Sequence, residues 1–218
     1  MREQLVSGTP VKVARPDGAS PVRGVVVAAD VMGLRPLFDD LAARLAVEHS
    51  WAVAVVEPFP GRESLAREDR LAAMAGLADD RQVGDLVAAA DLLDVEPVAI
   101  IGFCMGGMYA LKAAGTGRFD RSVAFYGMIR VPAHWQGPGQ GEPLEALARP
   151  GAAPVLALVG TEDDLTPPAD VDALAATGAT VVRYEGAEHG FVHDPARPAH
   201  RPVDAADAWR RAVAFLAT

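Results

Sequence analysis

The sequence predicts an α/β chain built on a mostly parallel sheet with helices on both faces. Three observations carry this. Short runs rich in β-branched residues recur along the chain, stretches with helical character separate them, and the runs are largely apolar without alternation, as strands covered on both faces require. Seven runs stand out: VKV (11–13), RGVVVAA (23–29), WAVAVVE (51–57), VAIIGF (98–103), SVAFYG (122–127), PVLALVG (154–160) and TVVRYEG (180–186).

Between the third and fourth runs, Val83, Leu86, Val87, Ala90 and Leu93 fall on one helical face, with Asp85 and Asp91 elsewhere. That helix should pack on the sheet. After the fourth run, GFCMGG leads into MYALKAA, a composition that favours helix, so the order is strand, sharp turn, helix. Glycines and prolines punctuate 130–154 and predict a surface excursion, with a short helix around 144–148. Near the end, Trp209, Val213 and Leu216 form an apolar stripe, while Asp207 and Arg211 sit four apart on the exposed side and can pair.

A chain of 218 residues can bury roughly 70% of its extended surface, enough for one core, and no repeat or composition break divides it. A single domain over 1–218 is expected. With 50% hydrophobic and 22% charged residues the chain is not a disordered one, and a formal charge of −9 disfavours nucleic acid as a partner. One cysteine, Cys104, forms neither an internal disulfide nor a cysteine-rich zinc site. The first 18 residues lack the apolar run of a signal peptide, and the longest uncharged stretch, 98–111, is broken by Gly102, Gly106 and Gly107 and is shorter than the roughly 20 residues of a membrane helix. The expectation is a cytoplasmic protein that does not engage a membrane.

Cys104 stands at the strand-to-helix turn with Gly102 and Gly106 two residues to either side, where side chains would collide as the helix passes the strand. The helix N-terminus then directs unpaired N–H groups and its positive dipole end at the sulfur, favouring a thiolate. A nucleophile of this kind needs a base, and the base needs an orienting acid. Asp163 and Asp164 follow the sixth run, in GTEDDLTPP, and His189 follows the seventh, in GAEHGF. Parallel strands would bring these turns to one sheet edge, in the chain order nucleophile, acid, histidine. His49, His134 and His200 read as surface-loop histidines.

With GFCMGG, GTEDDLTP and EGAEHGF the chain resembles, over nearly its whole length, the dienelactone hydrolase family of the α/β-hydrolase superfamily. The resemblance implies an α/β-hydrolase fold with a sheet of about seven or eight strands and a Cys-His-Asp triad that hydrolyses a small ester or lactone through an acyl-enzyme, without metal or organic cofactor. The family's glycine, acid and proline spacing matches Gly160, Asp163 and Pro167 and so selects Asp163 over Asp164. In AADVMG (28–33) it implies an acid beside the thiol, Asp30 where the family usually has glutamate, and an oxyanion hole made by the N–H groups of Val31 and Met105. Where family members carry a carboxylate-gripping arginine four residues past the histidine, this chain has His193. Arg81, Tyr126 and His193 are the candidate substrate contacts, and Met128 and Trp135 the candidate apolar wall. Two rival readings are a thioesterase or acyltransferase using the same triad, and a noncatalytic module that binds a small ligand.

Overall fold

The computed structural model describes residues 1–218. All seven runs form strands, and an eighth strand precedes them. In chain order these are β1 (Arg2–Gln4), β2 (Pro10–Ala14), β3 (Arg23–Ala28), β4 (Trp51–Val56), β5 (Val98–Phe103), β6 (Ser122–Phe125), β7 (Val155–Gly160) and β8 (Thr180–Tyr184). They make one sheet in the order β1-β2-β4-β3-β5-β6-β7-β8. β1 and β2 pair antiparallel, as do β2 and β4, and every pairing from β4 across to β8 is parallel. This is the α/β-hydrolase fold, with its antiparallel entry.

β1 has no apolar pattern of its own. It is a strand because Arg2, Glu3 and Gln4 register against Lys12, Val11 and Pro10, and because the N-terminal ammonium donates to the Val13 carbonyl at 2.7 Å. β3, β4, β5 and β7 are buried at every position, since successive side chains point to opposite covered faces. Val26 and Ala28 join one core with Leu86, Leu93 and Met108, and Val25 and Val27 join another with Phe38, Leu45 and Ala208.

The helices are α1 (Pro36–His49), α2 (Arg67–Ala72), α3 (Asp79–Leu93), α4 (Met105–Ala114), α5 (Pro143–Leu147), α6 (Pro168–Ala176) and α7 (Pro202–Leu216). α3 and α4 cover one face and α1 and α7 the other. α3 is rotated from its expected face, because Asp85 is buried together with Gln82, Leu86, Ala89, Ala90 and Leu93, while Val83 and Val87 are only half-buried. The carboxylate is tolerated inside because Ser7 Oγ and Thr9 Oγ1 donate to it at 2.6 and 2.5 Å and Arg81 Nε at 2.7 Å. In α7 the buried seam is Ala205, Ala208, Ala212 and Leu216, with Trp209 and Val213 at its margin, and Arg211 pairs with Asp207 at 2.6 Å on the exposed side. The 130–154 excursion is less superficial than its composition predicts, since Val131 and Trp135 are buried in the core under α3 and α4. No helix is long and apolar enough to cross a membrane.

Candidate active site

β5 ends at Phe103, α4 begins at Met105, and Cys104 between them has φ 57° and ψ −121°. Such a conformation costs a non-glycine residue about 1–3 kcal/mol and persists only where surrounding structure enforces it. The enforcement is visible. A Cβ on Gly102 would lie 2.0 Å from the Gly106 carbonyl oxygen, and one on Gly106 would lie 2.1 Å from that of Ala28, so helix and strands pass at backbone contact. Cys104 N–H donates to Phe125 O at 3.1 Å, and the residue remains partly exposed.

Asp163 and His189 meet because the turns after β7 and β8 are laced together. Thr161 N–H donates to Tyr184 O and Glu162 N–H to Ala187 O, both at 3.0 Å, while a Cβ on Gly160 would stand 2.1 Å from Ala187 O. In this frame His189 Nδ1 and Asp163 Oδ2 are 2.9 Å apart, and Asp163 Oδ1 accepts from Leu165 N–H at 2.9 Å. The Asp163 side chain is fully buried, whereas Asp164 is exposed and makes no contact of this kind.

His189 Nε2 is buried and has no hydrogen bond of regular geometry, and the group that acts on it is the Cys104 thiol. Burial disfavours the imidazolium. The hydrogen bond to Asp163 and the adjoining Cys104 thiol, with the charge of both partners, outweigh it and raise the pKa from 6.5 to about 10. Beside the Asp163–His189 pair an open cleft of about 700 Å³ is bordered by Asp163, Asp164, His189 and Arg197, and Cys104 is not among its lining residues.

A second polar cluster adjoins the first. Arg35 donates to both Asp30 oxygens at 2.6 and 2.8 Å, Met32 N–H donates to Oδ1 at 2.9 Å, and His193 Nε2 lies 2.8 Å from Oδ2. Burial works against the Asp30 carboxylate, but the hydrogen bonds from His193 and Arg35 and their charge hold it well below the usual carboxylate range. Because ionised Asp30 can only accept, His193 Nε2 carries a proton toward it, and Nδ1 faces the Tyr126 hydroxyl, its other partner. The His193 ring stacks on Phe103 with centroids 5.0 Å apart.

These contacts revise several expectations. None of the Asp30 hydrogen bonds goes to the sulfur, so the acid next to the thiol in sequence pattern is held by Arg35 and His193 instead. His193 is not an open substrate contact, since both its ring nitrogens are spent. Tyr126 is fully buried with its hydroxyl on His193, and burial, followed by the charge of Cys104, pushes its pKa far up. Arg81 is committed to Asp85, to Thr9 Oγ1 at 2.6 Å and to the Ser7 carbonyl at 3.1 Å, which makes it a brace for the start of α3. Met128 and Trp135 are both buried in the core against which Cys104 packs.

The oxyanion candidates differ in kind. Met105 is the first residue of α4, where N–H groups have no helical acceptor. Val31 lies in the turn after β3, and its N–H has no backbone or side-chain acceptor in the chain. Sequence reasoning missed Arg35 and the buried Glu57–Arg70 pair, 3.1 Å apart. Arg35 was findable as the nearest cation to Asp30, but no local signal links Glu57 to Arg70. No group of three or more His, Cys, Asp or Glu side chains is spaced to share a metal ion.

Comparison with known proteins places these features in context. A family model described as the dienelactone hydrolase family matches residues 10–218. A Bradyrhizobium sp protein described as "Probable 2-oxo-3-(5-oxofuran-2-ylidene)propanoate lactonase" is 30% identical over 94% of this chain and 87% of its own length. The carboxymethylenebutenolidase of Rhodococcus opacus is 29% identical over 88% and 79%. Among solved structures, one from Klebsiella pneumoniae subsp. pneumoniae MGH 78578, described as a "Putative Dienelactone Hydrolase", superposes with a TM-score of 0.86 at 24% identity, covering 100% of this chain and 98% of the other.

Proposed function

The chain belongs to the dienelactone hydrolase family, and from that premise we propose that it hydrolyses a small ester or lactone through Cys104, His189 and Asp163. One observation carries the proposal: a partly exposed thiol in a strained strand-to-helix turn neighbours an imidazole that has one nitrogen unpartnered and the other held by a buried carboxylate. The relatives named for lactone and butenolide hydrolysis support the substrate class.

In the attacking state the Cys104 proton is carried by His189. The sulfur attacks the carbonyl carbon, and the carbonyl electron pair moves onto oxygen, where the N–H groups of Val31 and Met105 hold it, at roughly 3 kcal/mol per donor. Collapse breaks the bond to the leaving alkoxide, which takes the Nε2 proton and leaves a thioester. Acylation removes the thiolate charge that helped raise the imidazole pKa, so neutral His189 becomes a competent base. It takes a proton from water as the water attacks the thioester. The second tetrahedral adduct expels the thiolate, restores the starting pair and releases the acid. Asp163 holds the ring in the required tautomer throughout. Arg35 and His193 are committed to Asp30 and take no part in gripping substrate.

Turnover of an activated aryl ester by the wild type and by Cys104→Ala tests the reading. Activity that vanishes with the thiol, with an acyl adduct on Cys104 seen by mass spectrometry, supports it. Equal rates from both proteins would favour the noncatalytic ligand-binding module. A panel of esters, lactones and thioesters then orders the substrates and separates hydrolase from thioesterase.

A further inference from the structure

The turn after β3 spends its backbone donors unevenly. Gly33 N–H donates to Asp30 O and Met32 N–H to Asp30 Oδ1, both at 2.9 Å, and Leu34 N–H donates to Glu57 Oε2 at 2.8 Å. Val31 N–H alone among these four is left over. The Val31 carbonyl is not left over: Arg70 Nη1 donates to it at 3.2 Å and to Glu57 Oε1 at 3.1 Å. The turn is therefore clasped at Val31 by a cation and at Leu34 by that cation's own carboxylate.

Both charges are buried, with 2% and 0% side-chain exposure for Arg70 and Glu57. Their remaining capacity is taken by backbone as well. Phe59 N–H donates to Glu57 Oε1 at 3.0 Å, Arg70 Nε donates to Leu65 O at 3.2 Å, and Arg70 Nη2 donates to Glu63 O. Gly33, at φ +65°, fits so tightly that a Cβ there would lie 2.4 Å from Glu57 Oε2. Burying an ion pair gains little stability, because desolvation offsets attraction and apolar replacements are often neutral. An apolar pair could fill the same space but could not hold a carbonyl at one end of the turn and an N–H at the other.

We propose that Glu57 and Arg70 are positioning residues: by holding the Val31–Met32 peptide at its carbonyl and Leu34 at its N–H they fix the turn, and with it the adjoining Asp30–Val31 peptide, whose carbonyl accepts from Gly33, so that the Val31 N–H is aimed at the oxyanion formed at Cys104. This rests on Cys104 being the nucleophile. The pair touches neither substrate nor sulfur and acts only through the turn it clasps.

The test compares Glu57→Gln/Arg70→Met, which removes both charges, with Arg70→Lys, which keeps the charge and one reach to the carbonyl. Four quantities are read: kcat and KM on an activated aryl ester, the rate of Cys104 alkylation by iodoacetamide, and the melting temperature. Deleting one oxyanion donor costs about 100- to 1,000-fold in kcat. Loosening it should cost the double variant about 10- to 100-fold, with Arg70→Lys intermediate and KM within about threefold for both. Alkylation at an sp³ carbon forms no oxyanion, so its rate should stay within about twofold. Should the double variant not fold, Arg70→Lys carries the same readings. An unchanged kcat in a folded variant, or kcat and alkylation falling together, overturns the inference while the nucleophile reading stands. Full turnover by Cys104→Ala overturns both.

Discussion

His189 and His193 lie four residues apart, and each is bonded to a carboxylate and packed against Tyr126, with ring centroids 5.2 and 5.8 Å from it. Their chemistry diverges because of what else each pair touches. Asp163 has no cationic partner other than His189, so its charge acts on the imidazole, whose second nitrogen is left for the thiol. Asp30 is already matched by the bidentate Arg35, and the second nitrogen of His193 is taken by the Tyr126 hydroxyl. One pair has a nitrogen to exchange protons with; the other is a strut. The residue types are identical, and the number of unpartnered ring nitrogens and uncompensated charges separates the proposed base from a brace.

The largest expected break in this comparison comes from the two histidines themselves. His189→Gln should lower kcat about a thousandfold, whereas His193→Gln should lower kcat far less, as steady-state kinetics would register. Next come the acids after β7: Asp163→Asn should cost about a hundredfold or more in kcat, and the exposed Asp164→Asn less than about twofold, with the reverse order assigning the role to Asp164. Asp30→Asn leaves Arg35 unmatched and should cost about 2 kcal/mol of stability in urea unfolding, with a kcat loss of about tenfold or less.

The smallest effect is on stability as pH changes, and the two pairs should act in opposite windows. Asp30 is depressed in the folded state, so its contribution is present above the unfolded carboxylate pKa of about 3.9 and is lost as acid protonates it. His189 is raised from 6.5 to about 10, so its contribution is complete below pH 6.5 and is lost as pH rises toward 10. Urea midpoints should fall over that alkaline window in the wild type, and the fall should shrink in His189→Gln.

The strands β2 to β8 were readable because unbroken apolar runs between helical stretches leave few other ways to bury them. β1 was not, because REQ carries no pattern and is a strand only by pairing with β2. Cys104 was readable as a candidate nucleophile from two glycines at fixed spacing, each of which has backbone packed where a Cβ would be. The pattern of residues left Asp163 and Asp164 open, the family's spacing favoured Asp163, and the hydrogen bond to His189 runs to Asp163. Asp85 was assigned to the wrong face because helical periodicity weighs hydropathy, and it knows nothing of hydroxyls arriving from Ser7 and Thr9, 78 and 76 residues away.

What the sequence by itself determined is the set of local geometries: which stretches extend, which coil, and where the backbone must turn sharply at Cys104. Sterics and periodicity act over a few residues, so they leave a mark that can be read in order. Only the tertiary structure decided which charges meet. Asp30 and His193 are 163 positions apart and Glu57 and Arg70 are separated by a surface excursion, and a charge chooses its partner by distance in space once the core has closed around it.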